Sequence, residues 1–482
     1  MLMALECAKV RSFVTPIFLC RLGIVALICA LPCLGQAEVV HMKNGDLIYA
    51  DRVRETENTV QYEIGDDSYT VPKSRIDHVE RGTPLPPRHV EVPTYVPASP
   101  VLGEGELLGQ VVREGSVNRE ALNLIESRGN SAATAVAFYI AGKQEFQDAK
   151  YADARRDFEA GMRYDPQNPA IANFYAALLI KTGNAPIAIE HAERAVRLAP
   201  DSADALVVLG FAHYAAGDSK QAAESWKRSL ALRPDASIQR MLDRATRELT
   251  AETNYSERET GHFTLRYEGA QSSESFRGQI LAALEAAYTE LAQAFGVEPR
   301  SNIQVILYTN QAFFDVTHAP SWTGALNDGK LRIPLQGIDS VTPDLARILK
   351  HELAHSFVNQ LSMRRCPTWL NEGIAQAMEP RPLAPLGAQL GELFKQEREI
   401  PLNVLEGSFA SLSGAQATLA YDESLATVEY IRSTYGMSDV LRVLEKLGQG
   451  DSAESALRSI VHSDYRRLQD DVGAFLIRQF GN

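Results

Sequence analysis

Cysteine is nearly absent from most of this chain: four of its five cysteines, Cys7, Cys20, Cys29 and Cys33, fall in the first 37 of 482 residues, and only Cys366 lies beyond them. Without that leading segment no internal disulfide can form, so burial has to hold the fold. Positive charge is also scarce. With 48 Lys and Arg against 61 Asp and Glu, the net charge is −13, and so acidic a surface argues against nucleic acid as a partner. Long apolar runs are missing apart from "LGIVALICALPCLG" near the start, which is too short for a comfortable membrane span.

That run comes after Lys9, Arg11 and Arg21 and ends before "GQA". The order of charged, apolar and small residues predicts a secretory signal over residues 1–37, cleaved after Ala37, and export to the periplasm of a Gram-negative bacterium. Lipidation at Cys33 and an uncleaved N-terminal anchor are the alternatives; Pro32 stands where lipidation requires a small residue. Cleavage would remove Glu6 with the three basic residues and leave the mature chain near −15, with no integral membrane span.

A chain of this length that is 45% hydrophobic fills more than one core. Residues 38–82 alternate apolar and polar positions around "NGD" and "GDD", which predicts a small module of three or four strands. Six prolines in "TPLPPRHVEVPTYVPASP" predict an extended linker, and then a helix, within residues 83–133.

Across residues 134–236, Pro166, Pro200 and Pro234 recur every 34 residues, with Ala154, Ala188 and Ala222 at equivalent places. Gly142, Ala176 and Gly210 fill the tight helix-to-helix position, and Phe158, Ala192 and Trp226 the large one. These residues resemble tetratricopeptide repeats, which implies a helical solenoid whose concave surface binds a peptide or a partner protein. Residues 237–260 are expected to be a capping helix and linker.

From residue 261 to 482 the pattern is mixed. "HFTLRY", "NIQVILYT" and "KLRIPL" read as strands, residues 273–295 as a helix, and the region beyond Arg381 as a helical lobe closing a cleft. In "SVTPDLARILKHELAHSFVNQL", Thr342 can cap a helix, Pro343 suits its first position and Asp344 complements its positive end. His351 and His355 then stand one turn apart and can ligate one Zn²⁺, while Glu352 can reach a metal-bound water. A bare HExxH arises by chance in on the order of one in a hundred chains of this length. In "TWLNEGIAQAMEP", however, a second helix begins after a short turn and returns Glu372 to the first, completing a His2Glu set with one open position.

"HELAH" with "WLNEG" downstream resembles the gluzincin metallopeptidases, and most of all the peptidase-MA-like domains attached to tetratricopeptide repeats. That resemblance implies an α+β zincin-like, thermolysin-like domain with a helical C-terminal lobe. It also implies one Zn²⁺ held by His351, His355 and Glu372, and Glu352 as general base. Within "AYDESLATVEYIRSTYG", Tyr421 is the candidate donor to the oxyanion, with Ser424 one turn on to orient it. Gln376 stands where thermolysin-type enzymes often place a carboxylate; Asn371 and Glu379 are other candidates to orient the imidazoles.

His262 and His318 lack a partner at ligand spacing, and Cys366 lacks a general base. "TGALND" has no glutamate to match the amine-capturing GAMEN-like segment of aminopeptidase-N-type enzymes. The sequence thus predicts a zinc endopeptidase acting on a protein substrate, extended along the edge strand "KLRIPL", with the repeats recruiting substrate or partner. The alternative is an inactive scaffold of the cell envelope that acts through its repeats.

Overall fold

The 34-residue period builds three antiparallel helix pairs: Ser131–Gln147 with Tyr151–Tyr164, Pro169–Lys181 with Ala185–Leu198, and Ala203–Ala215 with Ser219–Leu232. The computed structural model of the protein describes residues 37–43, 47–50, 52–56, 58–64, 67–83, 95–98, 101, 103–318, 325–335, 337–379, 383–409, 412 and 414–481. Residues 1–36 of the expected 1–37 signal, with its four cysteines, lie outside them, as do residues 84–94 of the linker. Among the described residues no helix is long and apolar enough to cross a membrane.

Side-chain size explains the repeat pattern. A Cβ on Gly142 would lie 2.8 Å from the Phe158 ring, and one on Gly210 would lie 2.3 Å from Trp226. The middle repeat has the reverse solution: Ala192 replaces the aromatic, and Ala176 is tolerated opposite it. Asn130, Asn168 and Ser202 cap the first helix of each pair with side-chain oxygens.

Ala236–Ala251 closes the array and also joins it to the C-terminal half of the chain. Its Glu248, wholly buried, accepts from Arg332 Nη2 at 2.6 Å, Lys330 Nζ at 2.9 Å and Ser219 Oγ at 2.7 Å. Arg332 also donates to Asp328 at 2.9 Å and to the Tyr308 hydroxyl at 2.8 Å, and Arg244 pairs with Asp328. Burial raises the pKa of a carboxyl, but here Arg332, Lys330 and Arg244 override it and hold Glu248 well below the usual range.

Among the described residues the N-terminal module has six strands rather than the expected three or four. They form two antiparallel sheets, one of Leu47–Ala50, Ala37–Met42 and Ile76–Thr83, the other of Arg52–Glu55, Thr59–Ile64 and Asp67–Pro72.

The C-terminal half is built on a five-stranded sheet in the order Leu326–Asn327, Leu331–Pro334, Ile303–Tyr308, Phe263–Tyr267, Ser256–Glu259. The three central strands are parallel and the two outer ones antiparallel to their neighbours. Val305 and Leu307 point to the core shared with the helices Glu274–Phe295 and Pro343–Ser362, whereas Ile306 and Tyr308 face the other side, toward Phe313 and Ala251. Two expectations fail here. Ser256–Glu259, assigned to the linker, is a strand of the sheet. "KLRIPL" is internal, flanked by Ile303–Tyr308 and Leu326–Asn327, with all of Leu331–Pro334 buried. Its charges turn to Glu248 and Asp328, and it is not the edge strand expected to hold an extended substrate.

Candidate metal centre

Thr342 Oγ1 accepts from the Leu345 N–H at 3.1 Å and starts the helix Pro343–Ser362, with Pro343 in its first turn, as the sequence predicts. The chain leaves this helix through Met363 and Arg364, both left-handed at φ 50° and 59°, and re-enters a helix at Thr368–Met378. That short reversal returns Glu372 to the histidines. Its Oε2 lies 3.4 Å from His351 Nε2 and 3.9 Å from His355 Nε2, and one ligand atom from each of the three residues lies within 4.8 Å of the others. A tetrahedral ion with bonds of about 2.0–2.2 Å sets its ligand atoms roughly 3.4 Å apart. The donor set and its spacing therefore fit one divalent ion.

The opposite edges of both rings are fixed. His351 Nδ1 donates to Glu379 Oε1 at 2.6 Å, and His355 Nδ1 donates to Asn371 Oδ1 at 2.8 Å. Since a carboxylate or amide oxygen can only accept, each Nδ1 carries the hydrogen and each Nε2 lone pair is left for a cation. Glu379 is itself held by Arg347, one turn before His351. Burial alone would lower the pKa of His351; Glu372 and Glu379 override that and raise it to about 10. Two carboxylates thus create a demand for positive charge at this point.

Gly373 explains how Glu372 comes so near the helical lobe. A Cβ there would lie 2.3 Å from the Ser424 carbonyl oxygen and 2.6 Å from Val428, so only glycine lets Thr368–Met378 press against Gly414–Tyr435.

Residues 283–478 match the family described as Peptidase MA superfamily. This region is a Peptidase MA superfamily domain. No curated protein matches the chain. Among solved structures, the first tetratricopeptide domain of Spaghetti (RPAP3) bound to the HSP90 peptide SRMEEVD is 24% identical, with 24% of this chain and 93% of that one covered and a TM-score of 0.24. The first such domain of human RPAP3 is also 24% identical, with 25% and 95% covered and the same TM-score. Yeast Tom70 is 14% identical, with 73% of this chain and 78% of that one covered, again at 0.24.

Within the Peptidase MA domain, Glu352 lies between the two histidines and is half-buried. Its carbonyl oxygen accepts from Asn327 Nδ2 at 2.7 Å, and the same amide donates to Ser356 Oγ at 2.8 Å. Tyr421 is half-buried, its ring edge-on to Phe409 with centroids 5.3 Å apart, and its carbonyl accepts from Gln376 Nε2 at 2.8 Å. Gln376 therefore ties the two helices one turn beyond Glu372, while Glu379 and Asn371 orient the rings. Ser424 does not orient Tyr421: its hydroxyl donates to the Ala420 carbonyl of its own helix at 2.6 Å.

The other polar residues are engaged elsewhere. His262 pairs with Glu285 at 2.6 Å and stacks on Tyr288. His318 ends the helix Asn310–Thr317 in a left-handed conformation. Cys366 is a free thiol whose pKa burial pushes up, away from nucleophilic character. Sequence reasoning missed Arg347 and Asn327. Arg347 carried a signal in its i, i+4, i+8 series with His351 and His355; Asn327, brought in by the sheet, carried none.

Proposed function

We propose that this protein is an exported zinc-dependent endopeptidase acting on a protein substrate, with the repeats recruiting that substrate or a partner. The observation that carries the reading is the convergence of His351, His355 and Glu372, each imidazole oriented from behind by Glu379 or Asn371. Two nitrogens and one carboxylate leave a fourth position open, which is the composition of catalytic rather than structural zinc sites. The Peptidase MA superfamily match supports the same chemistry.

A zinc ion held by His351, His355 and Glu372 would supply Lewis acidity there. Glu352 takes the proton from the attacking water and returns it to the departing amine. Tyr421 donates to the carbonyl oxygen as charge develops on it. Capture of a substrate amine by "TGALND" has no support in its described part, since Asn327 holds the motif helix and Asp328 holds Arg332. Cleavage within a chain is therefore preferred over removal of its first residue.

The test is cleavage of unfolded and envelope proteins by the wild type and by Glu352→Gln at equal zinc occupancy. Loss of the general base should lower turnover by about 10²–10⁴-fold. Equal turnover with zinc bound in both would contradict the proposal.

A further inference from the structure

The first helix of each repeat lines the inner wall of the array, where Pro169–Lys181 packs along Ala203–Ala215. An open concave face would leave its wall residues in water, yet here they are covered. Tyr139 is 0% exposed, Asn173 2%, Phe211 3% and Asp204 6%.

The cover comes from the chain itself, upstream of the repeats. Tyr95 stacks on Phe211 with centroids 6.3 Å apart; its hydroxyl donates to Asp204 and accepts from Arg233 Nη2 at 3.0 Å. Pro97 is buried. Glu104 Oε1 accepts from Lys143 Nζ at 2.7 Å, and that ammonium lies 5.7 Å from the Tyr139 ring centroid and 5.9 Å from that of Phe174. Val101 and Leu107 pack onto the core of the array. A tyrosine in a slot between an acid and an arginine, with a carboxylate on a lysine further along, has the form of a bound peptide.

The fit is incomplete at the middle repeat. Asn173 occupies the place that Tyr139 and Val207 hold one repeat away, and neither its Oδ1 nor its Nδ2 has a hydrogen-bond partner. A side-chain amide in that state offers a donor nitrogen and an acceptor oxygen, the complement of a peptide group running past it. The chain's own segment leaves this capacity unused.

We propose that the inner face of the repeats is a peptide groove held closed by Tyr95 and Glu104. It opens to an extended peptide that carries an aromatic hydroxyl for Asp204 and Arg233, a carboxylate for Lys143 and a main-chain amide for Asn173. This deepens the reading of the repeats as the recruiting element, rests on it, and makes recruitment a displacement.

The test uses a labelled synthetic peptide of residues 93–108 and fluorescence anisotropy on the full chain. A tethered ligand competes at high effective concentration, so the Tyr95→Ala/Glu104→Ala chain should bind the peptide at least about tenfold more tightly than the wild type. Adding Lys143→Ala should remove that gain. Tyr95→Phe, which deletes only the hydroxyl, should give a smaller gain in the same direction and serves if the double variant does not fold. Equal peptide affinity in wild type and variants, or a lowered Tm with no gain in binding, would overturn the proposal and make the segment a permanent wall. Peptide affinity is read without turnover, so a chain that cleaves nothing leaves this result intact. Conversely, unchanged zinc-dependent cleavage in a chain whose groove never opens would leave the catalytic reading standing and remove only the recruiting one.

Discussion

Glu379 Oε1 lies 2.6 Å from Nδ1 of His351, whose Nε2 is 3.4 Å from Glu372, so one imidazole is held between two carboxylates. Arg347 on the far side of Glu379 keeps that carboxylate charged: burial would raise its pKa, and His351 and Arg347 lower it instead.

Replacing Glu379 by Gln keeps the shape and removes the charge behind the ring. Zinc affinity should fall by about 10–100-fold with little change in the fold. Competition against a chelating dye measures it, and Gln376→Glu, at a position that ties helices together, should not restore the loss.

Glu248 tests the joint between the repeats and the Peptidase MA domain. Glu248→Ala would leave Lys330 and Arg332 buried without their shared carboxylate, which typically costs about 3–5 kcal/mol. Urea unfolding should show that loss. The wild-type contribution should also fade in acid, because the depressed folded pKa makes the stabilisation full above the unfolded value near 4.5 and lost as pH falls below it.

Glu423 should act in the opposite sense. Burial, with Glu399 and Asp422 nearby, raises its pKa to about 8, although the Ile400 N–H donates to it. Between the unfolded value of 4.5 and about 8 the folded state holds a proton that the unfolded chain has released, so stability falls as pH rises through that window. Tm measured from pH 5 to pH 9 should decline less steeply in Glu423→Gln than in the wild type.

The residues that were legible in the sequence are those whose partners lie one helical turn or one repeat away. Pro343, His351 and His355 obey the 3.6-residue period, and Glu372 comes after one short turn, so their meeting could be anticipated. Gly142 with Phe158 and Gly210 with Trp226 stand two 34-residue periods apart and specify the solenoid. What escaped depends on contacts across the fold. The burial of Lys330 and Arg332 escaped because nothing local shows that Glu248, more than eighty residues earlier, comes to cover them. Ser256–Glu259 has four exposed residues and no apolar alternation; only backbone pairing with Phe263–Tyr267 makes it a strand. The occupant of the repeat groove was equally hidden, since Tyr95 sits in a proline-rich stretch that reads as linker.

We propose that His351, His355 and Glu372 hold one metal ion. Metal content after zinc loading and exhaustive dialysis tests it most directly, with wild type, His351→Ala and Glu372→Ala compared at matched folding by circular dichroism. The predicted result is one zinc per wild-type chain and loss of that ion in both variants. Stoichiometric zinc retained by the variants, or none taken up by a folded wild type, would contradict it.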